Sequence, residues 1–287
     1  MSVIQSMEAT VLAQTRRGLR QLMAVVAARA PGLAKVEDLQ IVGAAGPLPA
    51  RYYEAQNPTG APLVVFFHGG GFVCCDIDTH DSICSWLAKA SQGRVLSVDY
   101  RLAPETPFPG QIEDARAACA WAFQNAPRFG ADPAHLSVAG DSAGAYMAAS
   151  VAVEINARTP GAVTQQVLLY PLVHVDGVLW AEEELRNFRF LGRIAALYIA
   201  RSLGARMPSL LDVDLTHAPS TIVAGGGVMD PVRNDTKAFV DRLRKAGVPV
   251  TEKKYPFLAH GGLNFTSYSK LAVTALNEVG EAMGAKA

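Results

Sequence analysis

The sequence predicts an α/β fold in which a mostly parallel central sheet carries helices on both faces. The chain has 287 residues, enough for one large domain. Hydrophobic residues make up 50% of it and charged residues 18%, which is typical of a compact protein with a large buried core. Short, continuous apolar runs alternate with helical patterns along the chain, as they do where strands are buried on both faces of a parallel sheet.

The predicted strands follow one another from residue 63 onward. Five are continuous apolar runs: Leu63–Phe67, Val95–Val98, Leu136–Ala139, Val167–Tyr170 and Thr221–Ala224. A sixth strand, Val248–Tyr255, is more polar and is expected nearer an edge of the sheet. Helical patterns such as Ala145–Ile155 and Lys237–Ala246 separate these strands, which completes the alternation.

Two segments fit the alternation of strands and helices poorly, and we expect them to form a cap over the functional site of the protein. Residues 1–30 carry apolar side chains at helical spacing before the first predicted strand. Residues 176–216 are also helical in pattern. Their basic residues are expected to form a solvated face and not a ligand patch: Arg186, Arg189, Arg193, Arg201 and Arg206.

The predicted domain organisation has four segments. Residues 1–50 form an N-terminal cap segment and lead-in, and residues 51–175 form the first part of the catalytic core. Residues 176–216 form the cap insertion, and residues 217–287 complete the core. This division follows from the position of the helical segments between the predicted strands.

Charge and cysteine content exclude several classes of protein. The formal net charge is zero, so no electrostatic argument favours nucleic acid or an anionic membrane surface. No apolar run approaches the roughly 18 residues of a membrane span, and the first residues lack the basic region of a signal peptide. We expect a cytoplasmic protein with four reduced cysteines and no metal.

A Gly-x-Ser-x-Gly sequence, Gly140–Gly144, lies between a predicted strand and a predicted helix. Glycine is needed at both flanks because a side chain would clash in so tight a turn, which exposes the Ser142 hydroxyl as a nucleophile. Asp141 is expected to support the turn through backbone contacts. The same pattern also occurs as an ordinary glycine-rich turn, so the assignment depends on finding a base, an acid and oxyanion donors.

A second glycine-rich motif, His68–Phe72, directly follows the first predicted strand. Successive glycines let the backbone pass close to a substrate and point N–H groups at it. A phosphate-binding loop is the competing interpretation, but neither a Lys-Ser/Thr pair nor a spaced Gly-x-Gly-x-x-Gly sequence accompanies the motif. We therefore interpret the motif as an oxyanion loop. His68 and Gly69 are expected to support this loop, and His68 is not expected to transfer protons.

The remaining catalytic candidates lie late in the chain. Asp230 and its nearest rival, Asp235, follow the predicted strand that ends at Ala224. His260 alone among the six histidines follows both, and the order Ser, Asp, His is that of one known class of hydrolase. Asp212 and Asp214 are expected to be solvated. The other histidines outside the oxyanion loop are expected to be structural: His80, His135, His174 and His217.

From about Pro62 to its C-terminal region, the chain resembles the hormone-sensitive-lipase-like (bacterial family IV) esterases of the α/β-hydrolase superfamily. The matching motifs are His68–Phe72, Tyr100–Glu105, Gly140–Gly144, Asp230-Pro231 and His260, with weaker matches at Asp78–Asp81 and at Phe108-Pro109 with Glu113-Asp114. The resemblance favours Asp230 as the acid. It implies oxyanion donors at Gly70, Gly71 and Ala143, a helical cap, no cofactor and a homodimer.

The chain departs from the family pattern at several positions. Ala145-Tyr146 replaces a usual Gly-Asn, Cys75 replaces a glycine, and Asn234 stands where a second acid often follows Asp-Pro. Near His260, Phe257 occupies a usual glycine position and Gly262 a usual phenylalanine position. Because these changes leave the candidate catalytic groups in place, we expect them to affect the substrate pocket, for which Phe72, Tyr146 and Phe257 are the candidates.

The expected function is hydrolysis of short- to medium-chain carboxylic esters, with a small ester as the only partner besides a second copy of the chain. Two alternatives stay open. The same catalytic groups could cleave an amide or transfer the acyl group to an acceptor other than water, since all three reactions share one acyl-enzyme. A ligand-binding receptor on a hydrolase scaffold is disfavoured because His260 is present.

Overall fold

The computed structural model describes residues 3–58, 63–175, 198–204 and 207–284. The described strands are β1 Leu33–Gly43, β2 Gly46–Ala55, β3 Leu63–Phe67, β4 Arg94–Val98, β5 Leu136–Asp141, β6 Val163–Leu169, β7 Ser220–Gly225 and β8 Val250–Lys254. They form one sheet in the order β1-β2-β4-β3-β5-β6-β7-β8. β2 runs antiparallel to β1 and β4, and the pairs from β4 to β8 are parallel, which confirms the mostly parallel sheet.

Helices pack on both faces of this sheet. They are α1 Val3–Val26, α2 Asp81–Ala90, α3 Gly110–Asn125, α4 Ala143–Arg158, α5 Arg233–Lys245 and α6 Lys270–Gly284. Side chains alternate across β3: Leu63, Val65 and Phe67 join the core beneath α3, α4 and α5. Val64 and Phe66 join the second core beneath α2 and α6. Both faces of β3 are therefore buried, which explains its continuous apolar sequence.

The parallel register brings the functional loops to one edge of the sheet. Phe67 at the end of β3 is aligned with Gly140 in β5, and Leu169 at the end of β6 is aligned with Ala224 in β7. The segments after β3, β5 and β7 therefore leave the sheet on the same side. Ligands of open α/β sheets bind at this carboxyl edge of the strands.

The first two strands, β1 and β2, differ from the sequence expectation. Residues 1–50 were expected to form a cap segment and lead-in, whereas the sheet already begins at Leu33 and the expected boundary falls inside β2. Most of β1 is exposed or half-buried because it is an edge strand. An edge strand lacks the continuous apolar run by which the central strands were found.

Within the two segments expected to form a cap, residues 3–26 and 198–203 are helical and contact each other, whereas residues 207–216 form turns. Residues 198–203 form a helical turn, and Arg201 Nη1 lies 3.1 Å from Glu8 Oε1 of α1. Arg186, Arg189, Arg193 and Arg206 lie outside the described residues. Among the helices that the structure describes, none is both long and apolar enough to cross a membrane.

Candidate active site

Ser142 lies at a sharp turn between β5 and α4. Its backbone has φ 51° and ψ −115°, a conformation that residues with a side chain rarely adopt. A Cβ on Gly140 would lie 2.3 Å from the Gly144 carbonyl carbon, and one on Gly144 would lie 1.9 Å from the Phe67 carbonyl oxygen. The turn therefore requires glycine at both flanks, and it leaves the Ser142 side chain partly exposed.

Ser142, His260 and Asp230 form one hydrogen-bonded line. His260 Nε2 lies 2.9 Å from Ser142 Oγ, and His260 Nδ1 lies 2.9 Å from Asp230 Oδ1. Asp230 is fully buried, and its Oδ1 also accepts a hydrogen bond from the Val232 N–H at 3.0 Å. The Asp230 carboxylate can only accept a hydrogen bond, so it holds the ring proton on Nδ1 and leaves Nε2 free to accept the proton of the Ser142 hydroxyl.

The surroundings of His260 change its basicity in opposite directions. Burial disfavours the charged ring, while the hydrogen bond and the negative charge of Asp230 favour it, and the net result raises the pKa of His260 above 6.5. The Tyr170 ring packs against it with centroids 4.9 Å apart. His260 is thus held by contacts on two sides, and its raised pKa makes it a stronger base than a free imidazole.

The rival acids and histidines lie elsewhere. Asp235 is buried beside His174, whose Nε2 lies 3.6 Å from Asp235 Oδ2, and not beside His260. Asp212 and Asp214 are exposed, as the sequence predicted. His135 and His217 are also exposed. Of the two candidate acids, Asp230 and Asp235, it is Asp230 that lies against His260.

The oxyanion loop follows β3 and folds back beside the serine. Gly70 and Gly71 have φ values of 110° and 62°, and a Cβ on Gly70 would lie 2.1 Å from the Cys74 carbonyl oxygen. No described residue accepts a hydrogen bond from the N–H of Gly70 or Gly71. Ala143 begins α4, where the first N–H groups of a helix have no intrahelical acceptor. These three N–H groups are therefore available to an oxyanion.

His68 and its neighbours fix the start of this loop. The Tyr100 hydroxyl donates to the His68 carbonyl oxygen at 2.8 Å, and the two rings stack with centroids 4.3 Å apart. Burial, and then the charge of His80, lower the pKa of His68 to about 4. His68 is consequently neutral near pH 7, which fits a supporting position and not proton transfer.

A buried ion pair joins the oxyanion loop to the serine turn. Asp141 Oδ1 accepts the Gly69 N–H at 2.7 Å and lies 3.2 Å from His80 Nε2. Burial opposes charge on both groups, but their mutual attraction raises the pKa of His80 to about 9 and lowers that of Asp141. Sequence reasoning expected a structural His80 but not its partner, because the two residues lie 61 positions apart.

A cavity of about 730 Å³ opens against the oxyanion loop. It is lined mainly by apolar side chains from α1, the loop and the 198–203 turn: Met7, Val11, Leu12, Val73, Tyr198 and Ile199. The residues expected to shape the pocket do not line it. Phe72 and Tyr146 pack edge to face in the core, and Phe257 is 83% exposed.

Two of the four cysteines lie near the oxyanion loop. The four cysteines are free thiols, with Cys74 and Cys75 half-buried near the loop and Cys84 and Cys119 fully buried. Within the described ranges, no group of three or more His, Cys, Asp or Glu side chains is arranged to hold a metal ion.

The sequence of the chain is similar to those of known hydrolases. Residues 64–264 match a family model described as alpha/beta hydrolase fold. The chain is 36% identical over 264 residues to carboxylic ester hydrolase LipN of Mycobacterium tuberculosis, covering 87% of this chain and 70% of LipN. It is 29% identical to an arylesterase of Saccharolobus solfataricus, covering 82% and 79% of the two chains.

Solved structures show the same likeness. The crystal structure of EstE1, a thermophilic carboxylesterase cloned from a metagenomic library, superimposes with a TM-score of 0.86 at 30% identity, covering 95% of this chain and 96% of the other. A hyperthermophilic esterase from Pyrobaculum calidifontis gives a TM-score of 0.85 at 29% identity, covering 95% and 93%. Both likenesses extend over nearly the whole chain.

Proposed function

Because the chain belongs to the α/β-hydrolase family, and within it to the hormone-sensitive-lipase-like (bacterial family IV) esterases, we propose that it hydrolyses carboxylic esters through an acyl-enzyme on Ser142. The observation that carries this proposal is the line of hydrogen bonds from Asp230 through His260 to Ser142, both 2.9 Å long. It supplies an orienting acid, a base and a nucleophile in the order that acyl transfer requires.

The first half of the reaction forms the acyl-enzyme. His260 Nε2 takes the proton of the Ser142 hydroxyl while Oγ attacks the ester carbonyl carbon. The carbonyl oxygen becomes an oxyanion, which the N–H groups of Gly70, Gly71 and Ala143 stabilise. The protonated His260 then gives its proton to the departing alcohol as the C–O bond breaks.

The second half returns the enzyme to its starting state. Water attacks the acyl carbon and gives a proton to His260 Nε2, and the same N–H groups stabilise the second oxyanion. Collapse of this intermediate releases the acid and returns the proton to Ser142 Oγ. Throughout, the buried carboxylate of Asp230 keeps the Nδ1 proton on His260 and stabilises its charged form.

The cavity beside the loop is the basis for the proposed substrate range. Its apolar lining from α1 and the 198–203 turn would bury an alkyl chain attached to a carbonyl at Gly70 and Gly71. We accordingly assign α1 and residues 176–216 to the cap. Each buried methylene contributes about 0.8 kcal/mol, close to a fourfold gain in kcat/KM, until the cavity is full. Within the short- to medium-chain range, the enzyme should therefore prefer butyrates and similar esters over acetates.

Hydrolysis of p-nitrophenyl acetate and butyrate tests the proposal. The wild type should hydrolyse both, with the larger kcat/KM on butyrate, and Ser142→Ala should lose up to about a millionfold in kcat. Ser150→Ala is the matched control, since Ser150 lies two turns further along α4, where its hydroxyl donates to the Tyr146 carbonyl oxygen at 2.8 Å. Equal rates for the wild type and Ser142→Ala would refute the proposal.

Two further expectations stay predictions. The sequence led us to expect a cytoplasmic location, and the family resemblance implies a homodimer. Fractionation of the native cells tests the first, and sedimentation of the purified protein tests the second.

A further inference from the structure

We propose that Cys74 and Cys75 form a dithiol site for trivalent arsenicals, and that occupying this site inactivates the enzyme by displacing the oxyanion loop. The second half of this inference rests on the proposed esterase function. The first half depends only on the positions of the two thiols.

The Cys74 thiol lies between the oxyanion loop and the cavity. Its Sγ donates to the Gly70 carbonyl oxygen at 3.1 Å, and its side chain lines the cavity. The Cys74 N–H donates to the same oxygen, also at 3.1 Å. A reagent that enters the cavity thus meets Cys74 directly, and its sulfur is in contact with the backbone of a proposed oxyanion donor.

The Cys75 thiol completes the pair. A Cβ built on Gly70 would lie 3.0 Å from Cys75 Sγ, so both sulfurs adjoin the same loop residue. The neighbouring Cys75 thiol, with the charge of Arg16, lowers the pKa of Cys74 against the effect of burial. The Cys74 thiol, together with burial, raises the pKa of Cys75. Cys74 is therefore the better nucleophile, and Cys75 lies within reach of whatever Cys74 binds.

A monosubstituted trivalent arsenical suits two adjacent thiols. Phenylarsine oxide reacts by forming two As–S bonds and breaking its As–O bond, and both thiol protons leave with the oxygen as one water molecule. Arsenic keeps its oxidation state, so no oxidant is needed. The phenyl carbon is the third ligand, so two thiolates complete the coordination of this soft centre and no third protein ligand is required.

Bound arsenic would disturb the oxyanion loop. The Gly70 carbonyl oxygen would lose its thiol donor, and Gly70 has so little room that even a Cβ would meet the Cys74 carbonyl oxygen at 2.1 Å. The phenylarsenic group must therefore push Gly70 aside or occupy the cavity. Displacement of Gly70 removes an oxyanion donor, whose loss typically costs about 100- to 1000-fold in rate, and occupation of the cavity excludes the alkyl chain of the substrate.

The full chain is incubated with phenylarsine oxide and washed with 2-mercaptoethanol, which removes adducts to single thiols. Intact mass, a peptide map and p-nitrophenyl butyrate hydrolysis are then measured. Cys74→Ser and Cys75→Ser are compared with Cys119→Ala, a matched control in which a fully buried cysteine is changed. Each variant is scored against its own untreated activity.

We expect one phenylarsenic group per wild-type chain, mapped to the peptide that contains Cys74 and Cys75, and at least a tenfold loss of activity that 2,3-dimercaptopropanol reverses. Cys119→Ala should behave like the wild type, and both serine variants should lose the stable adduct. Absence of the wild-type adduct, or its persistence in either serine variant, overturns the site. An adduct with full activity overturns the inhibition, whereas an untreated wild type without esterase activity refutes the proposed function instead. The wild-type peptide map decides the site even if a variant does not fold.

Discussion

Ser142 combines a strained backbone with a partly exposed side chain. A residue with a side chain in a sparsely populated φ/ψ region costs about 1–3 kcal/mol, and such strain persists only where the surroundings impose it. Here the Ser142 N–H donates to the Leu169 carbonyl oxygen at 2.9 Å, which fixes the turn from the neighbouring strand β6. The strained conformation aims Oγ at His260 Nε2.

The Asp230–His260 contact predicts a change in the pH profile of hydrolysis. His260 must be neutral to accept the Ser142 proton, and its pKa is raised above 6.5. Activity should therefore fall as the pH drops through a value above 6.5. Asp230→Asn removes the main cause of the raised pKa and the selection of the ring tautomer. We expect kcat to fall by up to about 10⁴-fold and the acidic limb of kcat/KM to move to lower pH.

A kcat/KM–pH profile of both proteins on p-nitrophenyl butyrate measures this effect. Asp212→Asn is the matched control because Asp212 is an exposed carboxylate outside the site, and its profile should overlay that of the wild type. An Asp230→Asn profile with the same acidic limb as the wild type would contradict the proposed role of Asp230.

The three residues that the sequence nominated for catalysis lie in one hydrogen-bonded line, whereas the nominated pocket residues do not line the described cavity. Ser142, Asp230 and His260 occur in a fixed order next to predicted strands, so their position along the chain limits the choice. Tyr146 and Phe257 had no such constraint. The Tyr146 hydroxyl donates inward to the Pro208 carbonyl oxygen at 2.8 Å, and the loop after β8 leaves Phe257 in solvent. Both outcomes depend on packing between segments far apart in sequence.

At the scale of elements, the His80–Asp141 pair connects the loop after β3 to the end of β5. Both side chains are buried, being 3% and 4% exposed, and breaking a buried pair by removing one partner costs about 3–5 kcal/mol. His80→Gln should therefore lower the free energy of unfolding at neutral pH by roughly this amount. Urea unfolding followed by circular dichroism measures the loss, provided that the transition is two-state.

The same pair predicts how stability depends on pH. The pKa of His80 is raised to about 9, so its stabilising charge is fully present below pH 6.5 and is lost as the pH rises through about 9. The pKa of Asp141 is lowered below 3.8, so its contribution is present above that value and is lost only in stronger acid. The difference in stability between the wild type and His80→Gln should shrink from pH 6.5 to about 9; a constant difference would contradict the charged pair.

The glycines of the serine turn give a second prediction at this scale. A methyl group on Gly144 would overlap the Phe67 carbonyl oxygen at 1.9 Å, so Gly144→Ala must displace β3 or the turn. We expect at least a 100-fold loss of kcat/KM. In Gly18→Ala, by contrast, the new methyl group on exposed α1 has no neighbour within 4 Å and should stabilise the protein by about 0.5–1 kcal/mol. Full activity of Gly144→Ala would contradict the geometry of the turn.

The central strands were predictable because they are buried on both faces and therefore have continuous apolar sequences. All six predicted strands are present with small shifts, the largest at β6, which begins at Val163 where the sequence predicted Val167. The polar residues Gln165 and Gln166 interrupt the apolar pattern at the start of β6, so the sequence did not indicate that start. Gln166 is nevertheless buried, and its amide donates a hydrogen bond to the Thr221 hydroxyl at 2.9 Å. This contact could not be predicted before the pairing of β6 with β7 was known.

At the scale of the whole molecule, Arg16 connects α1 to the oxyanion region. Its guanidinium donates to the carbonyl oxygens of Val73 and Ala103, at 2.8 and 3.0 Å, and pairs with Glu105 at 2.8 Å. Glu105 is 61% exposed, so that ion pair contributes about 0–1 kcal/mol. The charged hydrogen bonds to the carbonyl groups contribute more, about 1.5–3 kcal/mol each. The backbone contacts therefore dominate the attachment of α1.

Loss of this attachment should affect longer substrates most. Arg16→Ala should lower the melting temperature and raise KM for p-nitrophenyl hexanoate more than for acetate, because α1 lines the cavity but not the catalytic line. Arg17→Ala changes the adjacent exposed arginine and should have little effect. Calorimetry and the two KM values measure the outcome; a proportional change in both KM values would argue against α1 as a wall of the acyl pocket.

Covalent labelling with a fluorophosphonate tests the central claim most directly, since Ser142 Oγ would displace fluoride and keep the phosphonyl group. The account predicts one phosphonyl group per chain, located on Ser142 by peptide mass spectrometry, with esterase activity lost in proportion to labelling. Labelling should be absent in Ser142→Ala and much slower in His260→Ala. A label on another residue, or equal labelling of Ser142→Ala, would contradict the account.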